Sequence, residues 1–425
     1  MVTRVTDLLV GRKGMHVWVR CSRFRLSQIV ALACVGVVSG CGGGSAGPTA
    51  ATPDSAPVSE PRAVSAGEIN GYVAEIESFW TERASDAGVA VYRPVGPARV
   101  RQITQPALQC DGQPIDLTDV EGNAVAFDCA EGGAVVWDLT FANELSRKYG
   151  PASPAMLIAH EFGHIVGYQA KAEFTPVVAE QYADCMAGVW VADAFERGDA
   201  PFDMPGAMDA TVATAPDLAD TPGDSANDPD AHGLAFDRIR AFQEGFNGSA
   251  KTCAAYETTP PVLTETPFTA EDKKDKGNIP FEEAQSDGAG ALREFIALHP
   301  TQFAGARVAL TSMSADELKS LHGKIGDGAT FAVLASDTFA SRQVDTPTDA
   351  AKDNEILTQA CLVGSWLGWL AEDSSKSLAL SAGDLDEAVA AFTDQTDPGT
   401  PDLLFDRVDY LRSGFTGGVD SCTNA

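Results

Sequence analysis

Apolar residues recur at helical spacing over several stretches of this 425-residue chain. Tyr72, Ile76, Phe79 and Trp80 share one side of a segment from Glu68 to Glu82, which predicts an amphipathic helix. Further on, Pro151, Ser153 and Pro154 suit a helix N-terminus, and the run Ala155-Met156-Leu157-Ile158-Ala159 predicts a buried helical body. Two more helical patterns extend from Val177 to Trp190 and from Phe236 to Phe246. Strand patterns are few, with Val89 to Tyr92 and Ala134 to Trp137 the best segments. The expected class is α+β and mainly helical.

The first forty residues have a different character. Arg20, Arg23 and Arg25 precede an apolar run, Ile29 to Val38, that is too short for a spanning helix and is flanked as in a secretory signal. It ends in Val38-Ser39-Gly40-Cys41, which resembles a bacterial lipobox. That resemblance implies cleavage before Cys41, lipid on its sulfur, and an exported protein anchored to the outer face of the bacterial cell membrane. An ordinary signal peptide is the competing reading, and Met15 is an alternative start. Residues 41–66, rich in Gly, Pro, Ala and Ser, read as a flexible tether. Charge narrows the partners: 30 basic and 60 acidic residues become 24 and 59 once residues 1–40 are removed, a net of −35. Such a surface argues against nucleic acid and anionic lipid. The acidic stretch from Asp217 to Asp230 reads as a solvated insertion.

The candidate chemistry lies in the buried helix, at His160-Glu161-Phe162-Gly163-His164. Two imidazoles four residues apart face one side of a helix and can grip one Zn2+ per chain, while Glu161 faces an attacking water as general base. A third histidine at the metzincin spacing is absent, since Ala170 stands there. The next helix offers Glu180 and Asp184, again four apart. Glu180 is assigned as the third ligand and Asp184 as acceptor for a ligand histidine's outer N–H, with the reverse assignment as the alternative. His232, Tyr182 and Tyr168 are candidates to stabilise an oxyanion, His232 being the one assigned.

Six cysteines follow Cys41, namely Cys110, Cys129, Cys185, Cys253, Cys361 and Cys422, and in an exported protein they suggest three disulfides. An internal repeat narrows the pairing. Cys185-Met186-Ala187-Gly188-Val189-Trp190 recurs as Cys361-Leu362-Val363-Gly364-Ser365-Trp366, and Phe236-Asp237-Arg238 through Cys253 recurs as Phe405-Asp406-Arg407 through Cys422. Between them, Gly206-Ala207-Met208-Asp209 matches Gly383-Asp384-Leu385-Asp386. If each copy closes on itself, the bridges are Cys185–Cys253 and Cys361–Cys422, leaving Cys110–Cys129. In the copy's register the histidines fall on Ser336 and Ala340, Glu180 on Ile356 and Asp184 on Ala360, so it cannot hold zinc in the same way. His299 and His322, the copy's histidines, read as surface residues.

These segments together resemble the bacterial putative neutral zinc metallopeptidases. The pattern is carried by the histidine motif, Glu180-Gln181-Tyr182-Ala183-Asp184-Cys185, Ala187-Gly188-Val189-Trp190, and upstream by Phe127, Cys129, Val135-Val136-Trp137-Asp138, Phe141 and Glu144-Leu145. Downstream it includes His232-Gly233, Arg238, Phe242, Gly245, Gly248 and Cys253, so that the resemblance covers about residues 68 to 253. It implies a zincin-like peptidase domain, placed at 67–260, in which a strand beside the motif helix aligns an extended peptide. Residues 261–425 form a degenerate noncatalytic repeat of its helical half. The expected function is hydrolysis of peptide or protein substrates by an exported, membrane-tethered zinc endopeptidase. The alternative is a catalytically inactive envelope lipoprotein that binds or scaffolds a partner.

Overall fold

Helix α1 (Ala66–Arg83) starts at a capping box, with Ser65 Oγ accepting from the Glu68 N–H at 3.2 Å and Glu68 Oε2 accepting from the Ser65 N–H at 2.9 Å. Its buried face, Ile69, Tyr72, Val73, Ile76 and Trp80, follows the helical period. The computed structural model describes residues 62–424 apart from 106–107, 116, 118–119, 224–225, 227, 229, 265–267, 269–276, 309–310, 343–348, 373–377 and 395–402. The signal segment, Cys41 and the tether up to residue 61 lie outside the described residues. No helix among the described residues is long and apolar enough to cross a membrane.

Val89 to Tyr92 does not form a strand. A 3-10 turn at Ala84–Ala87 ends at Gly88 with φ 87°, and the Val89 N–H then bonds back to Ala84 O. Just beyond, the Gln169 side chain accepts from the Arg93 N–H and donates to Arg93 O. The backbone is thus satisfied by a turn and a side chain, and Val89 gains burial without a ladder. The strands are β1 (Val100–Gln102), β2 (Gln109–Cys110), β3 (Gln113–Pro114), β4 (Ala124–Phe127) and β5 (Ala134–Trp137). Fully buried β5 is the centre of a three-stranded sheet, parallel to β1 (Val100 beside Val135) and antiparallel to β4 (Val125 beside Val136). A hairpin of β2 and β3 is tied to the strand connection by Cys110–Cys129, S–S 2.11 Å.

Asp138 ends β5 and caps α2 (Leu139–Tyr149) through the Thr140 N–H. Helices α3 (Ala152–Ala170) and α4 (Pro176–Arg197) follow; Pro176 opens α4 and Gly198, at φ 70°, closes it. α5 (Ala207–Leu218), α6 (Ala235–Asn247) and the short α7 (Ala250–Ala254) complete the first half. Helix α3 is buried on nearly every face, packed among α1, α2, α4, α5 and β4, which is why its sequence reads as a continuous apolar run.

Among the described residues the second half has helices and no strands: α8 (Phe281–Leu298), α9 (Ala315–Lys324), α10 (Asp327–Ala340), α11 (Asp349–Ala371), α12 (Asp384–Asp394) and α13 (Leu403–Gly417). The repeat read from the sequence is a repeat of packing. In the first half α4 and α6 approach so closely that a Cβ on Gly245 would lie 1.9 Å from Cys185 O, and in the second half a Cβ on Gly414 would lie 1.8 Å from Cys361 O. Disulfides Cys185–Cys253 and Cys361–Cys422, S–S 2.01 and 2.02 Å, close the two pairs. Gly245→Ala should therefore lower stability by about 1–3 kcal/mol. The measurement is the urea midpoint at unchanged slope; an unmoved midpoint would contradict so close an approach.

The described residues form one compact unit, and its larger hydrophobic core runs through both halves, beside a smaller cluster around Leu108, Val120 and Val136. The contacts between the halves are reciprocal. Asp386, on α12, accepts from the Ala235 and Phe236 N–H groups that open α6, both at 2.8 Å. Its counterpart Asp209, on α5, accepts from the Phe405 N–H near the start of α13 at 2.9 Å. Likewise Phe236 meets Phe415 and Phe246 meets Phe405, with ring centroids 5.5 and 5.0 Å apart.

Candidate metal centre

Close packing of α3 on α4 sets the site. A Cβ on Gly163 would fall 2.6 Å from Ala183 O, so only glycine lets α4 lie this near the histidine motif. His160 and His164, one turn apart on α3, then meet Glu180 on α4. His160 Nε2 is 3.1 Å from His164 Nε2, and the two Glu180 oxygens are each 3.2 Å from one of those nitrogens. Zinc with donors at about 2.0–2.1 Å in a tetrahedron places those donors about 3.3 Å apart, so this trio fits the ion. Glu180 Oε2 is buried and makes no hydrogen bond, a further sign of a missing electropositive partner.

Asp184 stands behind the trio. Its Oδ1 is 2.8 Å from His160 Nδ1, an arrangement that puts the proton on Nδ1 and turns Nε2 toward Glu180. Arg238, from α6, grips the same carboxylate in bidentate fashion, Nε to Oδ2 at 2.8 Å and Nη2 to Oδ1 at 2.9 Å, and its Nη1 donates to Leu218 O. Nη2 also lies 3.9 Å from Glu180 Oε2. The sequence reading gave Arg238 no role. Its signal was a lone cation between Phe236 and Ile239 on an apolar helix face, a residue buried only when paired. In the second copy Arg407 occupies the matching place, lies 4.2 Å over the Phe392 ring, and is lowered to about 10 by burial, which outweighs the Asp209 carboxylate.

Electrostatics favour a cation here. Burial opposes charge on His160, but Asp184 and Glu180 outweigh it and raise the imidazole to about 10. Burial likewise opposes ionisation of Glu180 and Asp184, yet His164 and His160 hold Glu180 well below the usual carboxylate range, and Arg238 with His160 lowers Asp184. Glu161 is raised, burial outweighing the histidines and the Ala126 amide of β4. A metal takes histidine as neutral imidazole, and in that state Glu161, Glu180 and Asp184 would set three negative charges against the one of Arg238, which a divalent cation would balance.

The trio and Glu161 line a cavity of about 420 Å³, roofed by residues 122–126 at the sheet's outer edge and bordered by Tyr168, Ala219 and His232. His232 is at the rim, its side chain 45% exposed and its Nδ1 3.3 Å from Asp220 Oδ1. Tyr182 is not at the cleft. It is 2% exposed, and its ring packs on Phe174 at 4.8 Å, filling the space that Gly167 leaves open. No curated protein and no solved structure matches the chain. The resemblance expected over about residues 68 to 253 is matched over a shorter stretch, which takes in β4, β5, the motif helix, α4 and α6. Residues 118–256 match the model of the family described as putative neutral zinc metallopeptidase, and it is in that segment that every residue of this centre falls.

Proposed function

We propose that the protein is an exported, membrane-tethered zinc endopeptidase. The observation that carries this reading is the convergence of His160 Nε2, His164 Nε2 and Glu180 within 3.1–3.2 Å of one another, beside Glu161 and beneath a sheet edge. His160, His164 and Glu180 would hold the ion, which when bound supplies a Lewis acid for the scissile carbonyl. Glu161, raised by burial, takes a proton from the attacking water and returns it to the leaving amine. Among the described residues strand β4 pairs only with β5, and its residues border the cavity, where an extended peptide would pair with its other edge. His232, its Nδ1 side occupied by Asp220, would turn its other nitrogen toward the oxyanion from the opposite rim. Export and anchoring rest on the signal-like run ending in Cys41 and on the three disulfides, which suit an oxidising compartment.

Metal content of the purified mature chain, by mass spectrometry, tests the reading. One zinc per chain is expected, lost in Glu180→Ala, while Asp184→Ala should weaken affinity by about 10–100-fold. A wild-type chain that takes up no zinc on reconstitution at neutral pH would overturn the peptidase and leave a binding lipoprotein.

A further inference from the structure

A second group of buried acids lies in the repeat that lacks the histidines. Asp327 opens α10, Asp384 opens α12, and Glu387 follows Asp384 by one turn; Asp327 and Asp384 are 2% and 1% exposed. One carboxylate oxygen from each lies within 4.8 Å of the others. Backbone donors orient the set: the Ile279 N–H to Asp327 Oδ2 at 3.0 Å, the Ser381 N–H to Asp384 Oδ2 at 2.7 Å, and the Gly328 N–H to Glu387 Oε2 at 2.8 Å. Ser381 Oγ adds a bond to Asp384 Oδ1 at 2.8 Å. Asp327 Oδ1, by contrast, is buried among these acids and accepts no bond from a backbone, hydroxyl or amide donor.

That orphan oxygen is the informative atom. A buried carboxylate facing two others needs a compensating positive charge, and among the described residues no lysine or arginine forms an ion pair with any of the three. Among the described residues, the basic side chain that acts on Asp327 is His322, whose Nδ1 is 3.1 Å from Thr330 Oγ1. The backbone is shaped around the acids: a Cβ on Gly326, at φ 144°, would sit 2.1 Å from the Glu387 carboxylate, and one on Gly328 would sit 2.3 Å from Asp384 O. A cavity of about 290 Å³, lined by Glu387, Asn278 and Ile325, reaches the group from outside. The cluster is no relic of the zinc centre. In the first half Asp384 and Glu387 correspond to Ala207 and Ala210, where Ser153 Oγ simply bonds Ala210 O at 3.2 Å.

We propose that Asp327, Asp384 and Glu387 bind a calcium ion that ties α10 to α12. Three oxygens this close can share one cation at about 2.3–2.6 Å, and an all-oxygen set with three carboxylates suits calcium better than zinc, whose sites usually include nitrogen or sulfur donors, or magnesium, which keeps most of its waters. Water entering from the cavity completes the coordination.

The test is equilibrium dialysis of zinc-loaded, full-length mature protein against radioactive Ca2+, with thermal unfolding run in parallel. One calcium per chain and a higher Tm are expected in the wild type. Both are lost in the double variant Asp384→Asn, Glu387→Gln, which removes like charges without changing shape and so should fold at least as well as calcium-free wild type. Three results would overturn the proposal: no bound calcium at neutral pH, as when protons hold the cluster together; binding that survives in the double variant; or an equal Tm rise with Mg2+.

Discussion

Glu161→Gln should lower kcat/KM on casein or a model peptide by about 10²–10⁴-fold while leaving one zinc per chain. The two halves of that expectation come from different atoms. The donors that converge are His160 Nε2, His164 Nε2 and Glu180, and Glu161 is not among them, so an isosteric amide should leave the trio intact. What the amide removes is a carboxylate, raised by burial, able to accept a proton inside the cavity. Metal content and turnover measured on one preparation separate the roles. Retained turnover would move the base elsewhere; joint loss of zinc and turnover would make Glu161 part of the metal cage.

Arg238→Ala should be the most destabilising single change near the site, by about 3–5 kcal/mol in urea unfolding. It strips the bidentate partner from Asp184, which is 4% exposed and has only His160 left to answer its charge. Because Asp184 turns His160 toward the metal, zinc affinity should fall with stability. In the double variant with Asp184→Ala the losses should be well short of additive, since the unpaired charge disappears. Additive losses would mean that the guanidinium acts on its surroundings independently of this carboxylate.

Where chemistry imposes a spacing, the chain was readable. His160 and His164 had to share a helix face, as did Glu180 and Asp184, and local periodicity was enough to place all four on α3 and α4. Cysteine pairing was readable through the repeat, because two copies of one helix pair must close alike. Long-range partners were not. Strand β1 is three residues long and finds its ladder in β5, more than thirty residues on, so no local pattern marks it. Arg238 meets Asp184 across 54 positions, and Asp327 approaches Asp384 across a similar gap. Val89 to Tyr92 misled because β-favouring residues can be buried by a turn. The match of Gly206–Asp209 with Gly383–Asp386 was visible, but an aspartate can cap its own copy's helix or the other's, and only the fold decides.

That exchange of caps gives the contact between halves the form of a two-fold homodimer interface, with each patch meeting its own likeness. In a true homodimer every substitution is written on both sides at once, and a change that harms one side harms both. Here separate stretches of one gene encode the two sides, so each can drift while the other holds. The second copy could shed the histidines and acquire buried acids without withdrawing Asp386, Phe405 or Phe415 from the helix that carries Arg238. Continuous backbone also keeps the patches together at any dilution, whereas a dimer would come apart.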